Sequence, residues 1–160
     1  MARWTFRWLL VLVAIVATGT GCKQARLKLG LGYEVTDPEE ESPQWVVKKV
    51  IEAGGMEPFD KAFTEFEKYL HSDERSNHVA MKDWEVDRFP AHRRKNKCYV
   101  KDADKKSFMV MEERAEDGKE ERQISLYVKC STTDMPTPCH LWKDDKQGGK
   151  WRIRGTNCLN

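Results

Sequence analysis

The residues able to do chemistry in this chain are its cysteines, its histidines, some acidic groupings and one basic run. Cys22 stands apart. Cys98, Cys130, Cys139 and Cys158 form an even set, as expected of disulfides in an oxidising compartment. Four thiols allow three pairings. A hairpin loop flanked by Cys130 and Cys139 sets Val128 against Leu141, an apolar cross-strand pair, so the spacing favours Cys130–Cys139 and leaves Cys98–Cys158 by elimination. Metal binding is the alternative use. The gap between Cys130 and Cys139, with His140 beyond it, is too wide for the paired-cysteine knuckle of a closed zinc site, so neither metal nor cofactor is expected.

Asp102, Asp104 and Glu113 fall at the first, third and twelfth places of a calcium-loop template. Lys106 and Ser107 stand where a ligand and the turn glycine belong, so a hairpin is expected there. The histidines are His71, His78, His92 and His140. His71 with Asp73 would suit an acid–base pair; the simpler expectation is a cation ending a helix and stabilised by its dipole. No serine-hydrolase elbow, zinc-protease or P-loop pattern occurs, and no catalytic residue is assigned. Arg88, Arg93, Arg94, Lys95 and Lys97, with His92 among them, form one local basic cluster. It would suit an anionic partner, against the plainer reading of a solvated loop.

Charge narrows the partners. The whole chain carries 28 basic and 26 acidic residues, and residues 1–21 hold Arg3, Arg7 and no acid, which leaves the remainder formally neutral. Nucleic acid is therefore not an expected partner, because that function needs a basic field on the working domain. A length of 160 residues suits one domain. A mean hydropathy of −0.74 with 34% charged residues excludes a polytopic membrane protein.

The apolar residues are concentrated at the start. Met1 to Arg7 is short and basic, Trp8 to Ala17 is a ten-residue apolar run, and small residues follow, which is the layout of a secretory signal over residues 1–21. Ten residues cover about half of a bilayer's hydrocarbon core, too little for a permanent span. Gly19-Thr20-Gly21-Cys22 resembles the lipobox of bacterial lipoproteins, although Gly19 stands where a larger aliphatic residue is usual. The resemblance implies that Cys22 is acylated, with palmitate among its chains, and becomes the first mature residue. Cleavage by the general signal peptidase is the alternative, but it would leave Cys22 as an odd thiol. Multiple acyl chains make a lasting anchor to the lipid bilayer, placing the protein in the bacterial cell envelope, facing the periplasm or the exterior. Residues 22–41, with the acidic stretch 37–41 and no apolar period, are expected to be a tether.

The elements that must position everything else begin at Ser42, an N-cap ahead of Pro43. Val46, Val47, Val50 and Ile51 share one helical face before Gly54-Gly55. A second helix follows Pro58, with Phe59, Ala62, Phe63, Phe66, Tyr69 and Leu70 at core-facing spacing. Ser76 is expected to cap a third, limited by Pro90. Beyond Lys97 the period falls to two, predicting strands at Cys98–Val100, Phe108–Met111, Gln123–Cys130, Cys139–Lys143 and Trp151–Arg154. Turn signals separate them at Asp102–Asp104, Asp117-Gly118, Pro136-Thr137-Pro138 and Gln147–Gly149. In the third strand Ile124, Leu126, Val128 and Cys130 share a face opposite Ser125, Tyr127 and Lys129, so one side of the sheet is buried. The class is α+β, with N-terminal helices packed on a curved antiparallel β-meander.

This order, closing on Trp151-Arg152-Ile153, resembles the nuclear transport factor 2-like cone of the cystatin-like fold. The stretches from Tyr69 to Ser76, Asp83-Trp84 and Arg88-Phe89-Pro90 are similar to small secreted bacterial proteins of that group. The resemblance spans Ser42 to Leu159, within an expected domain 42–160. It implies a sheet curled around the 59–70 helix, often with an apolar pocket at the mouth, for which Phe63, Phe66, Trp84, Val110, Leu126 and Val128 are the lining candidates. Members include enzymes, dimerisation modules and binding domains, so the fold alone does not choose among them. The expected function is a membrane-anchored lipoprotein with a non-catalytic binding or structural domain, whose partner is an envelope protein or small ligand. A small-molecule enzyme using the pocket, and an interaction or homodimerisation module, are the alternatives.

Overall fold

The computed structural model describes residues 18–115, 118, 119 and 121–160, so the apolar run of the expected leader and Asp117 of one expected turn lie outside the described residues. Helix α1 (Thr18–Lys28) carries the lipobox-like residues in its first turns. It ends where Gly30 adopts φ +69°, a left-handed conformation glycine takes without Cβ strain. Strand β1 (Tyr33–Val35) follows and pairs antiparallel with β2 (Phe108–Ala115), Tyr33 opposite Val110. Among the described residues no helix is long and apolar enough to cross a membrane.

Residues 22–41, expected as a tether, are instead folded onto the domain. Val35 is buried, and Glu113 on β2 gathers Lys23 at 2.9 Å, Gln44 at 2.6 Å and the Tyr33 hydroxyl. Burial works to raise the Glu113 carboxyl, but the Tyr33 and Lys23 donors prevail and hold it below the ordinary range. Further along, Glu41 pairs with Lys150 at 3.2 Å and Arg152 at 3.1 Å. The packed unit thus begins upstream of Ser42.

Helix α2 (Pro43–Gly54) forms as its sequence predicts, the Ser42 hydroxyl accepting from the Trp45 amide at 3.2 Å. Helix α3 (Phe59–Glu67) is shorter than the apolar stripe. After Lys68 the chain straightens, and Tyr69–His71 runs parallel to β5 (Lys150–Cys158): the Ile153 amide donates to Tyr69 O and the His71 amide to Ile153 O, both at 2.8 Å. Helices α4 (Ser72–Arg75) and α5 (His78–Asp83) follow, the latter capped by Asn77, whose side chain reaches the amides of Val79 and Ala80, and not by Ser76. Helix α5 passes through a π-helical turn, Trp84–Arg88, into α6 (Phe89–Tyr99). Pro90 therefore sits in the first turn of a helix and does not stop one. Cys98 and Tyr99, expected in a strand, end α6, because Tyr99 stacks 6.1 Å from His92, seven residues back on the same face.

The sheet is an antiparallel meander of five strands in sequential order, with β3 (Gln123–Val128) and β4 (Thr137–Asp144) between β2 and β5. Thr137 and Pro138, expected in a turn, open β4. All four cysteines beyond Cys22 are paired, but as Cys98–Cys130 and Cys139–Cys158, not as the hairpin spacing implied. The reason is register. Leu126, not Cys130, lies opposite Cys139, and Ile124 opposite Leu141, a slide of four residues that keeps every side chain on its expected face. Cys130 is left beside the end of α6, with Cys98 4.7 Å away between Cα atoms, and Cys139 pairs across the sheet with Cys158.

The helices cover one face, α2 lying over β3 and β5. Phe66 is the hub, 4.6 Å from Phe89 and 5.3 Å from Trp84 between ring centroids. The expected pocket between helix and sheet is filled: Phe66, Val110, Leu126 and Val128 have no exposed surface, Trp84 is 1% exposed, and Phe63 packs against them. A cavity wide enough for water would leave accessible surface on its walls. His92 is core too, its ring nitrogens 3.1 Å from Val50 O and 3.0 Å from Leu159 O, and burial pushes its pKa down.

Candidate functional site

With the inner face of the sheet closed by helices, the alternation that buries Leu126 and Val128 turns Ser125 and Tyr127 outward. Register then lines up Arg114, Ser125 and His140 across β2, β3 and β4, with Trp142 opposite Gln123 one step away. These residues and Arg154 line a groove of about 480 Å³ on the outer face. Trp142 in the groove and Tyr127 beside it each carry a guanidinium. Arg154 lies 4.3 Å over Trp142 and Arg114 lies 4.9 Å over Tyr127. Each arginine is steered by an acid, Arg154 by Asp73 at 3.0 Å and Arg114 by Glu112 at 2.8 Å.

Ser125 Oγ and His140 Nδ1 are 2.7 Å apart. Burial pushes the His140 pKa down, which favours the neutral ring, and the serine hydroxyl can donate to Nδ1 or accept from it according to the tautomer. A serine nucleophile needs its histidine oriented in turn by a third group. Among the described residues no carboxylate is hydrogen-bonded to His140.

A polar depression of about 240 Å³ adjoins the groove, lined by His71, Asp73, Asp144 and Lys146, with Arg154 and Trp142 shared between the two. His71 does not end the aromatic helix, as its position implied, because that helix stops at Glu67. His71 is the N-cap of α4: its Nδ1 accepts from the Asp73 amide at 3.1 Å. The Asp73 carboxylate stands 3.7 Å from that nitrogen and is drawn to Lys146 at 3.0 Å, which keeps its pKa low. Asp144 approaches His71 Nε2 only to 4.0 Å, because its oxygens are taken by Ser72, Gln147 and the Lys146 amide. This is a fastening of α4 to the β4–β5 turn, not an acid–base pair facing a substrate.

The remaining candidates are dispersed. Arg88 bonds Asp83 and covers Trp84, and Arg93 binds Glu57 at 2.6 Å and Met56 O at 2.7 Å, so both serve the fold. Arg94, Lys95 and Lys97 are exposed on α6, a helix where a loop was expected. Asp102 accepts from the amides of Asp104 and Lys105 and closes a turn, while Glu113 belongs to the Tyr33 cluster. Among the described residues no group of three or more His, Cys, Asp or Glu side chains is placed to hold a metal. The outer-face residues were the ones sequence reasoning passed over. Their signal was Tyr127 and Trp142, large aromatics at strand positions out of phase with the core.

No known family model, curated protein or solved structure matches this chain.

Proposed function

We propose that this chain is an exported lipoprotein, anchored through acylated Cys22 to the cell envelope, whose α+β domain binds an envelope protein on the open face of its sheet. Its fold is read as a cystatin-like cone, from the helices-then-meander order, and its role as non-catalytic. One observation carries the choice of surface. The interior is filled, whereas the groove across β2–β5 presents Trp142, Arg114 and Arg154, with Tyr127 beside it under Arg114, the residue types that dominate binding energy at protein interfaces. The shallow, open groove suits a protein surface better than an engulfed small molecule. Export is supported by two disulfides in one small domain, which persist only where the surroundings are oxidising.

Two measurements in intact cells test this. Radiolabelled palmitate enters the full chain and fails to enter Cys22→Ser; incorporation lost from neither, or seen in neither, refutes the anchor. A photo-crosslinking amino acid in place of Tyr127 yields a discrete protein adduct that the same group at exposed Val79 does not. Arg154→Ala weakens that adduct by roughly tenfold or more, as expected for a hot-spot residue. No adduct at 127, or one equal to that at 79, refutes the binding face.

A further inference from the structure

Leu29 and Leu31 are 72% and 56% exposed, just past the C-terminal end of α1. The cause is local. Helix α1 closes with the Leu31 amide donating to Arg26 O and the Gly30 amide to Leu27 O, both at 3.0 Å. That closure normally packs the residue after the glycine against the one five places back. Here that earlier residue is Arg26, whose guanidinium turns to Gly32 O at 2.9 Å, and Leu31 is left uncovered.

The sequence around the two leucines is basic, although the Lys23 charge is offset by Glu113 at 2.9 Å, which leaves Arg26 and Lys28 as the cations of the patch. Lys23, Arg26 and Lys28 lie within the segment, and no acid occurs from Thr18 to Tyr33. Three of the other exposed large apolar residues adjoin acids, Met56 beside Glu57, Val86 between Glu85 and Asp87, and Met135 after Asp134, while Val79 has no second exposed apolar residue beside it. The segment is also fixed to the body, through Lys23 on Glu113 at 2.9 Å and through β1.

We infer that the C-terminal end of α1 is a membrane-contact surface: Leu29 and Leu31 enter the interface of an anionic bilayer while Arg26 and Lys28 meet its headgroups. Exposed leucines beside Arg26 and Lys28 in a segment whose own sequence holds no acid are what such an interface binds, and the basic stems reach the headgroups while their carbons lie along apolar surface. The inference rests on the anchor at Cys22 and deepens it. Because Lys23 is held on the sheet, an anchor one residue earlier does not let the domain swing on a tether; it lays the β1–β2 side of the domain against the lipid.

The test uses the full chain reconstituted in vesicles of phosphatidylethanolamine and phosphatidylglycerol, with an environment-sensitive fluorescent amino acid in place of Leu29, Leu31 or, as reference, Val79. Spin-labelled lipids should quench positions 29 and 31 at least about twofold more than position 79, as interfacial burial requires. The variant Leu31→Glu, probed at 29, should lose that excess and yet sediment with the vesicles. A chain that sediments with position 29 quenched no more than 79 overturns the contact surface and leaves the anchor standing. A chain that stays in the supernatant overturns the anchor and the contact surface together.

Discussion

Asp144, which has no exposed surface, accepts hydrogen bonds from both the amide and the hydroxyl of Ser72, at 2.7 and 2.6 Å. The bond joins the start of α4 to the end of β4. It fixes one wall of the polar depression.

That bond sets a pH dependence. Burial alone would raise the Asp144 carboxyl, but the Ser72 donors outweigh it and bring the pKa from 3.8 down to about 2. A carboxyl depressed on folding contributes stability in full above its unfolded value and loses it as pH falls towards the folded one. Denaturant midpoints should therefore hold steady above pH 5 and decline between about pH 4 and 2, by on the order of 2 kcal/mol from this group. Asp144→Asn should be less stable at pH 7 by about 1–3 kcal/mol, since its amide presents donors to donors, and should lose this part of the acid slope. An unchanged slope in the variant would contradict the assignment.

Disulfide mapping of the oxidised protein should return peptides joining Cys98 to Cys130 and Cys139 to Cys158. The first closes 32 residues and ties α6 to the loop after β3, so Cys98→Ala with Cys130→Ala should cost about 2–4 kcal/mol of unfolding free energy. A mapped Cys130–Cys139 peptide would overturn the sheet register as well as the pairing.

Gly32 is the hinge between α1 and β1. It holds φ +61°, and a Cβ there would stand 2.6 Å from Val110 O and 2.8 Å from Met111 Sδ. Gly32→Ala should destabilise the protein by about 1–3 kcal/mol, combining left-handed strain with that collision. Hydrogen exchange should quicken first at Tyr33 and Val35 and leave β3 and β4 protected. Uniform quickening across the sheet would show that β1 is not a separable unit.

Much of this architecture is legible in the chain, and the failures have physical causes. Ser42-Pro43 announces α2 because cap and first-turn proline are local chemistry. The faces of β3 are legible because alternation survives any even slide in register. The pairing of β3 with β4 is not, because the intervening loop is longer than a tight hairpin and moves Cys139 from Cys130 to Leu126. Pro90 misleads because a π-helical turn before it removes the need for its missing amide. Tyr33–Val35 reads as linker because three residues carry no period, and only Val110, Met109 and Phe108 opposite them make a strand. Arg154 and Asp73 join the groove through an ion pair between distant parts of the chain, which no local pattern reports.

The run of Tyr69–His71 alongside Ile153 matters beyond local packing. A strand at the rim of a sheet offers unpaired amides and carbonyls to any passing chain, the first step of fibre growth. Here the rim beyond β5 is occupied around Ile153 by the protein's own backbone, and on the opposite side the three residues of β1 cover Phe108–Val110 of β2. Molecules crowded together therefore find fewer open backbone groups on which to template one another into aggregates.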